Sequence, residues 1–161
     1  MAADLENTLY LDVPAGRVVI ELRPDLAPEH CAHIKALARR GFYDGIVFHR
    51  VIAGFMAQTG DPTGTGTGGS GRRLKAEFSA EPHVRGTLSM ARASDPDSAD
   101  SQFFIVFDDA SFLDGQYTVW GRVESGMEHI EAIKKGDSAR NGTVADPDKI
   151  VKMQVAADVA E

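Results

Sequence analysis

One cysteine, Cys31, is all the thiol the sequence holds, so no internal disulfide can form. Stability must therefore rest on a hydrophobic core, and 161 residues are enough to bury one. The lone thiol also fits a reducing compartment. No stretch approaches the roughly 20 consecutive apolar residues of a membrane span. The opening MAADLENTLYLDV has neither the basic nor the apolar segment of a secretory signal, and a cytoplasmic protein is expected. Cations are the minority: 17 Lys and Arg against 24 Asp and Glu leave a net charge of −7, with no long basic run. Neutralising phosphates takes Lys and Arg, so nucleic-acid binding is not expected. Also missing are βαβ alternation, an internal repeat and a linker. A single domain over 1–161 is expected, with an antiparallel barrel or sandwich favoured.

What the sequence does have is alternation with period 2. Leu9, Leu11 and Val13 share one strand face; after the turn Pro14-Ala15-Gly16, Val18, Ile20 and Leu22 share another, which predicts a hairpin. Pro28 to Arg40 reads as an amphipathic helix, with Cys31, Ile34, Leu37 and Ala38 at helical spacing and Gly41 at its end. Val47–Ile52 and Phe55–Thr59 read as strands broken at Ala53-Gly54. Thr87–Arg92, Gln102–Phe107, Tyr117–Val123 and a segment through Val151, Met153 and Val155 complete about eight strands. A short second helix is predicted over Met127–Lys135.

Several motifs point to chemistry that their surroundings do not support. Gly64-Thr65-Gly66-Thr67-Gly68-Gly69 matches G-x-G-x-x-G, but no periodic helix follows to present its N-terminus to a pyrophosphate, so no nucleotide cofactor is expected. Asp95, Asp97 and Asp100 lack the turn glycine and terminal glutamate of a calcium loop and read as a solvated loop; no metal is expected. His30 and His33, one helical turn apart, read as surface histidines. Asn141-Gly142-Thr143 reads as a turn. Cys31, on an apolar helix face, reads as a buried structural thiol.

The stretch FHRVIAGFMAQTGD (Phe48–Asp61) sets an arginine beside an apolar run. Such an arginine either lies on a surface strand or overhangs an apolar pocket. This stretch resembles the signature of cyclophilin-type peptidyl-prolyl cis–trans isomerases. So do GTGG (Gly66–Gly69), GTLSMARA (Gly86–Ala93), SQFFI (Ser101–Ile105), FLDGQYTVWGRV (Phe112–Val123) and GMEHIEAI (Gly126–Ile133), in order along nearly the whole chain. The resemblance implies a mainly β fold, a closed eight-stranded antiparallel β-barrel capped by two α-helices. It implies an enzyme without cofactor, acting on proline-containing peptides and on unfolded or flexible chains; a monomer is expected. The alternative from another class is a proline-peptide binding module or chaperone with little turnover.

The reaction needs no nucleophile or metal. The barrier to rotation about the peptide C–N bond is roughly 18–20 kcal/mol because resonance is lost. A catalyst has only to bind the twisted amide better than either planar form. By the resemblance, Arg50 donates to the prolyl nitrogen and Gln58 orients it. Phe55, Met56, Phe104 and Leu113 line the proline pocket, with Tyr117, in place of a common histidine, at its edge. Gln102 lies in the peptide groove, and Ala91 and Arg92 lie where the family holds peptide through backbone groups. Gly66, Thr67, Gly68 and Gly69 edge a secondary groove, and the loop Ala93–Ser101 forms part of its rim. Phe112 replaces a tryptophan whose indole is linked to cyclosporin binding, so weak cyclosporin binding is expected, with isomerase activity retained. Arg92 replaces a common asparagine, which would tilt preference toward acidic or polar neighbours of proline. Phe103, Ile105 and Trp120 are expected in the core.

Overall fold

Leu9, Leu11 and Val13 stand opposite Ile20, Val18 and Gly16 in an antiparallel hairpin of β1 (Thr8–Val13) and β2 (Gly16–Leu22), as the alternation requires. The computed structural model describes residues 5–66 and 68–159. The remaining strands are β3 (Arg50–Ile52), β4 (Met56–Thr59), β5 (Thr87–Met90), β6 (Phe103–Val106), β7 (Val119–Ser125) and β8 (Lys152–Val155). They form one antiparallel sheet in the order β3-β4-β6-β5-β7-β2-β1-β8. The helices are α1 (Pro28–Arg39) and α2 (Met127–Glu131), the second ending a turn earlier than its sequence pattern implies.

The sheet curls but does not close as a continuous barrel. Its edge strands, β3 and β8, do not pair with each other. The segments that lead into them meet through an isolated bridge, Val47 to Lys149, with Phe48 N–H donating to Asp148 O at 2.8 Å and Ile150 N–H to Ile46 O at 2.7 Å. A regular ladder is interrupted here because Pro147 has no N–H to give and Asp146 sits at φ 54°. The expected closure is thus reduced to bridges.

The sheet buries apolar residues on both faces. Val51, Ala57, Leu88, Phe103, Ile105 and Trp120 belong to the main core, where the rings of Phe103 and Trp120 meet edge to face at 5.3 Å. Met56, Phe104 and Val106 point the other way. With Ala110 and Leu113 they form a separate, smaller cluster. A strand alternates sides at each residue, so Phe103 and Phe104 cannot share a core. This second cluster builds the site.

The two helix histidines are not on the surface. His30 is fully buried and His33 is 5% exposed. Two loops without periodic pattern, 60–86 and 91–102, supply them with carboxylates. Glu77 lies 2.6 Å from His30 Nδ1, and Asp100 and Ser70 lie 3.5 and 3.3 Å from His33 Nε2. Asp97 and Asp100, in the second of these loops, also tie it to the first. Asp97 accepts from Ala76 N–H at 2.9 Å, and Asp100 accepts from Ser70 Oγ and from Gly71 N–H. Cys31 is buried as expected; its thiol donates to Trp120 O at 3.2 Å, and burial pushes its pKa to about 12.

Four buried histidines give this fold a pH dependence. Burial lowers the pKa of His30, His33, His49 and His83 below the ordinary imidazole value. In the folded state they stay neutral where the unfolded chain, with histidine pKa about 6.5, takes up protons. Protons then favour the unfolded chain. Their contribution is fully present above that value and is lost as pH falls below it toward the depressed folded values. Thermal melting followed from pH 8 to pH 5 is expected to show Tm falling below about pH 6.5. A flat Tm across that interval would contradict the assignment.

Candidate functional site

The site begins with one hairpin. β3 and β4 pair with Arg50 opposite Gln58 and Ile52 opposite Met56, so these four side chains share a face while Val51 and Ala57 enter the core. β6 extends that face: Gln58 stands opposite Phe104 and Met56 opposite Val106. The 3-10 turn Ser111–Leu113 brings Leu113 into the same cluster, and Phe55, Ala91 and Tyr117 pack against it. Together they enclose a cavity of about 130 Å³ lined by Arg50, Phe55, Met56, Gln58, Ala91, Arg92, Phe104, Leu113 and Tyr117. All nine were named from the sequence. Phe112 is not among them. It is 65% exposed, its ring 5.5 Å from that of Phe55 at the rim.

Arg50 is held from two sides. Nη1 donates to Gln58 Oε1 at 3.2 Å; Nε and Nη2 donate to the Asn141 carbonyl and side-chain oxygens, each at 2.9 Å. A guanidinium has donors only, and this fixes the amide orientations beyond it. Gln58 must turn its oxygen to Arg50, so its Nε2 faces Gln102 Oε1 at 2.9 Å. Gln102 then points its Nε2 at the carbonyls of Gly66 and Gly68, both at 3.0 Å. One cation thus orders a relay from the 141 turn to the glycine-rich loop. Burial moves the Arg50 pKa downward from its ordinary value, yet an arginine remains charged at neutral pH.

Asn141 went unnoticed in the sequence as a partner of Arg50. Asn-Gly correctly signalled a turn: Asn141 has φ 58° and Gly142 φ 80°. The missing information was tertiary. Val51 N–H donates to Gly142 O at 2.8 Å, which lays this turn along the outer edge of β3. His83 was also missed. It lies behind Phe104, ring centroids 6.2 Å apart, with Asp114 at 3.0 Å from Nδ1 and Ser89 Oγ at 2.9 Å from Nε2. A carboxylate can only accept, so Nδ1 carries the hydrogen of the neutral ring. This arrangement braces the pocket wall. Ser89 is fully buried and has no access to substrate.

The glycine-rich loop wraps an internal anion. The Asp61 carboxylate accepts from Thr63 N–H at 2.8 Å, Thr65 N–H at 3.1 Å and Gly66 N–H at 2.6 Å. Burial raises its pKa, but hydrogen bonds from Thr63, Gly68 and Gly66 outweigh that and hold it at about 2. The N–H groups that a phosphate would need are already engaged. Gly66, Gly68 and Gly69 instead edge a second cavity of about 390 Å³, together with Arg73, Ser98, Asp100 and Gln102. Thr67 lies outside the described residues. Gln58, Ala91 and Arg92 line both cavities, so the two are contiguous.

The model of the family described as cyclophilin type peptidyl-prolyl cis-trans isomerase matches residues 8–155. The chain belongs to the cyclophilin-type peptidyl-prolyl cis–trans isomerases. A probable peptidyl-prolyl cis-trans isomerase of Brucella suis is 57% identical over 169 residues, covering 98% of this chain and 86% of that protein. Isomerase B of Bacillus subtilis is 47% identical over 135 residues, 83% of this chain and 94% of its own. Among solved structures, cyclophilin AquaCyp293 from Hirschia baltica superposes with a TM-score of 0.88 at 29% identity, over 99% of this chain and 77% of that one. A cyclophilin from Cryptosporidium parvum, solved in the presence of the dipeptide Ala-Pro, gives 0.85 at 32% identity, over 92% and 98%. This cyclophilin is accordingly an isomerase of peptidyl-prolyl bonds, with the eight antiparallel strands and two helices expected of it.

Proposed function

We propose that this cyclophilin accelerates X-Pro rotation by seating the proline ring in the 130 Å³ cavity while the Arg50 guanidinium donates to the prolyl nitrogen. The observation that carries the reading is the cation itself, half-buried at the mouth of an apolar cup and fastened by Gln58 and Asn141. In the planar amide the nitrogen lone pair is delocalised and accepts poorly. In the twisted amide it returns to nitrogen, so a fixed donor there favours the transition state over both ground states. Phe55, Met56, Phe104 and Leu113 grip the ring by contact alone, which leaves the amide free to turn. The relative solved in the presence of Ala-Pro supports a proline-containing ligand for this groove.

The test is a pair of assays: X-Pro tetrapeptide isomerisation and proline-limited refolding of a denatured protein. Both are expected to accelerate in proportion to enzyme. Cyclosporin titrated into the first assay is expected to inhibit weakly, because Phe112 offers no N–H at the rim. Binding of the peptide without acceleration would replace this mechanism by the binding-module reading.

A further inference from the structure

We infer that the larger cavity beside the proline pocket selects a carboxylate side chain, so that this cyclophilin prefers prolines with Asp or Glu close by in sequence. The inference rests on the reading of the smaller cavity as the proline site. It deepens that reading by naming the substrate class. Arg17, Arg23, Arg39, Arg85, Arg122 and Arg140 each form an ion pair. Among the described residues Arg50, Arg73 and Arg92, which line the two cavities, form none, and of the other arginines Arg40 and Arg72 alone share this. The sequence carries 24 Asp and Glu against 17 Lys and Arg, so carboxylates were available to pair. The groove leaves its cations uncompensated on an acidic protein.

Arg92 shows how such a charge is kept ready. Its Nε and Nη2 donate to Gln116 O at 3.1 and 2.7 Å, its Nη1 to Ala93 O at 3.0 Å, and its guanidinium lies 4.7 Å from the Tyr117 ring centroid. Carbonyls and a ring face fix the group but carry no net charge to cancel it. Arg50 is treated in the same way by Asn141 and Gln58. Arg73, exposed across the larger cavity, is the arm able to reach a ligand. Among the residues lining the cavities the one anion is Asp100, and its oxygens are turned to Ser70 and Gly71. Across the two contiguous cavities three guanidiniums thus stand against one engaged carboxylate, two of them, Arg73 and Arg92, in the larger cavity with it. Arg92 lines both cavities and successive peptide residues advance about 3.3–3.6 Å. A side chain one to three residues from a seated proline must then pass this charge.

The test uses tetrapeptide and pentapeptide pairs with Glu or Gln at each position within three residues of the proline. Both kcat/KM for isomerisation and Kd are measured, at low salt and in 0.5 M NaCl. At one position or more, the Glu peptide is expected to be favoured about fivefold at low salt, and the ratio to fall toward one as salt screens the charges. Arg73→Glu is expected to bring the low-salt ratio to one or below. The ratio is read within each variant, so a general loss of activity cancels. A ratio of one at every position, or a preference untouched by both salt and Arg73→Glu, would overturn the inference. If neither peptide of a pair were isomerised, the catalytic reading would fall, and the Kd ratio would still decide this one.

Discussion

An Arg50→Ala variant is expected to isomerise X-Pro tetrapeptides at least tenfold more slowly than the parent, a loss of about 1.4 kcal/mol or more in transition-state stabilisation. The fall should appear mainly in kcat. The apolar walls of the proline cup, Phe55, Met56, Phe104 and Leu113, remain in place, so ground-state binding survives while the donor to the twisted nitrogen is gone. Arg50→Lys is not expected to rescue the rate. An ammonium cannot span Asn141 on one side and Gln58 on the other as the planar fork does. Removal of the cation also frees the amide orientations of Gln58 and Gln102, so part of the loss comes through the relay. Near-UV circular dichroism unchanged from the parent would show that the fold is retained. An Arg50→Ala enzyme with full kcat would end the mechanism proposed above.

Much of this site was legible because β-sheet side chains follow an arithmetic rule. Once Arg50 and Gln58 are placed on neighbouring strands of a hairpin, period 2 alone sends Ile52 and Met56 to their side and Val51 and Ala57 to the other. The same rule separates Phe104, in the pocket, from Phe103 and Ile105, in the core. What the sequence concealed depends on contacts without period. His30 and His33 look like surface residues until a loop some 45 residues away lays Glu77 across the helix. Asn141 looks like a turn residue until that turn is set against β3, 91 residues upstream. The curl of the sheet was expected to close as a ladder. Pro147, a single residue without a donor, sits where that ladder breaks.

The second large effect is structural and joins the two halves of the site. Gly60 follows directly on β4 and holds φ at +98°, a region costly for any residue with a Cβ. A Cβ there would press into the carbonyl oxygen of Ser101 and stand 2.9 Å from Gln102 Cα. These atoms belong to backbone, so no side chain can swing away. Ser101 Oγ donates to Gly60 O at 2.7 Å, and Tyr43 Oη, fully buried, donates to Ser101 O at 2.9 Å. Gly60→Ala is therefore expected to destabilise the fold by about 2–4 kcal/mol, combining backbone strain with overpacking. The displacement also has a direction. It pushes the chain before β6 away from β4, and Gln102 moves off Gln58 and off the carbonyls of Gly66 and Gly68. Activity at a temperature where the variant is fully folded should then fall as well, and more for peptides that extend into the larger cavity than for those that fill only the proline cup. Urea denaturation and paired kinetics on short and long peptides read the two effects separately. A Gly60→Ala protein with the parent's midpoint and the parent's kcat/KM would mean that this close approach of β4 and the β6 lead-in does not set the geometry of the groove.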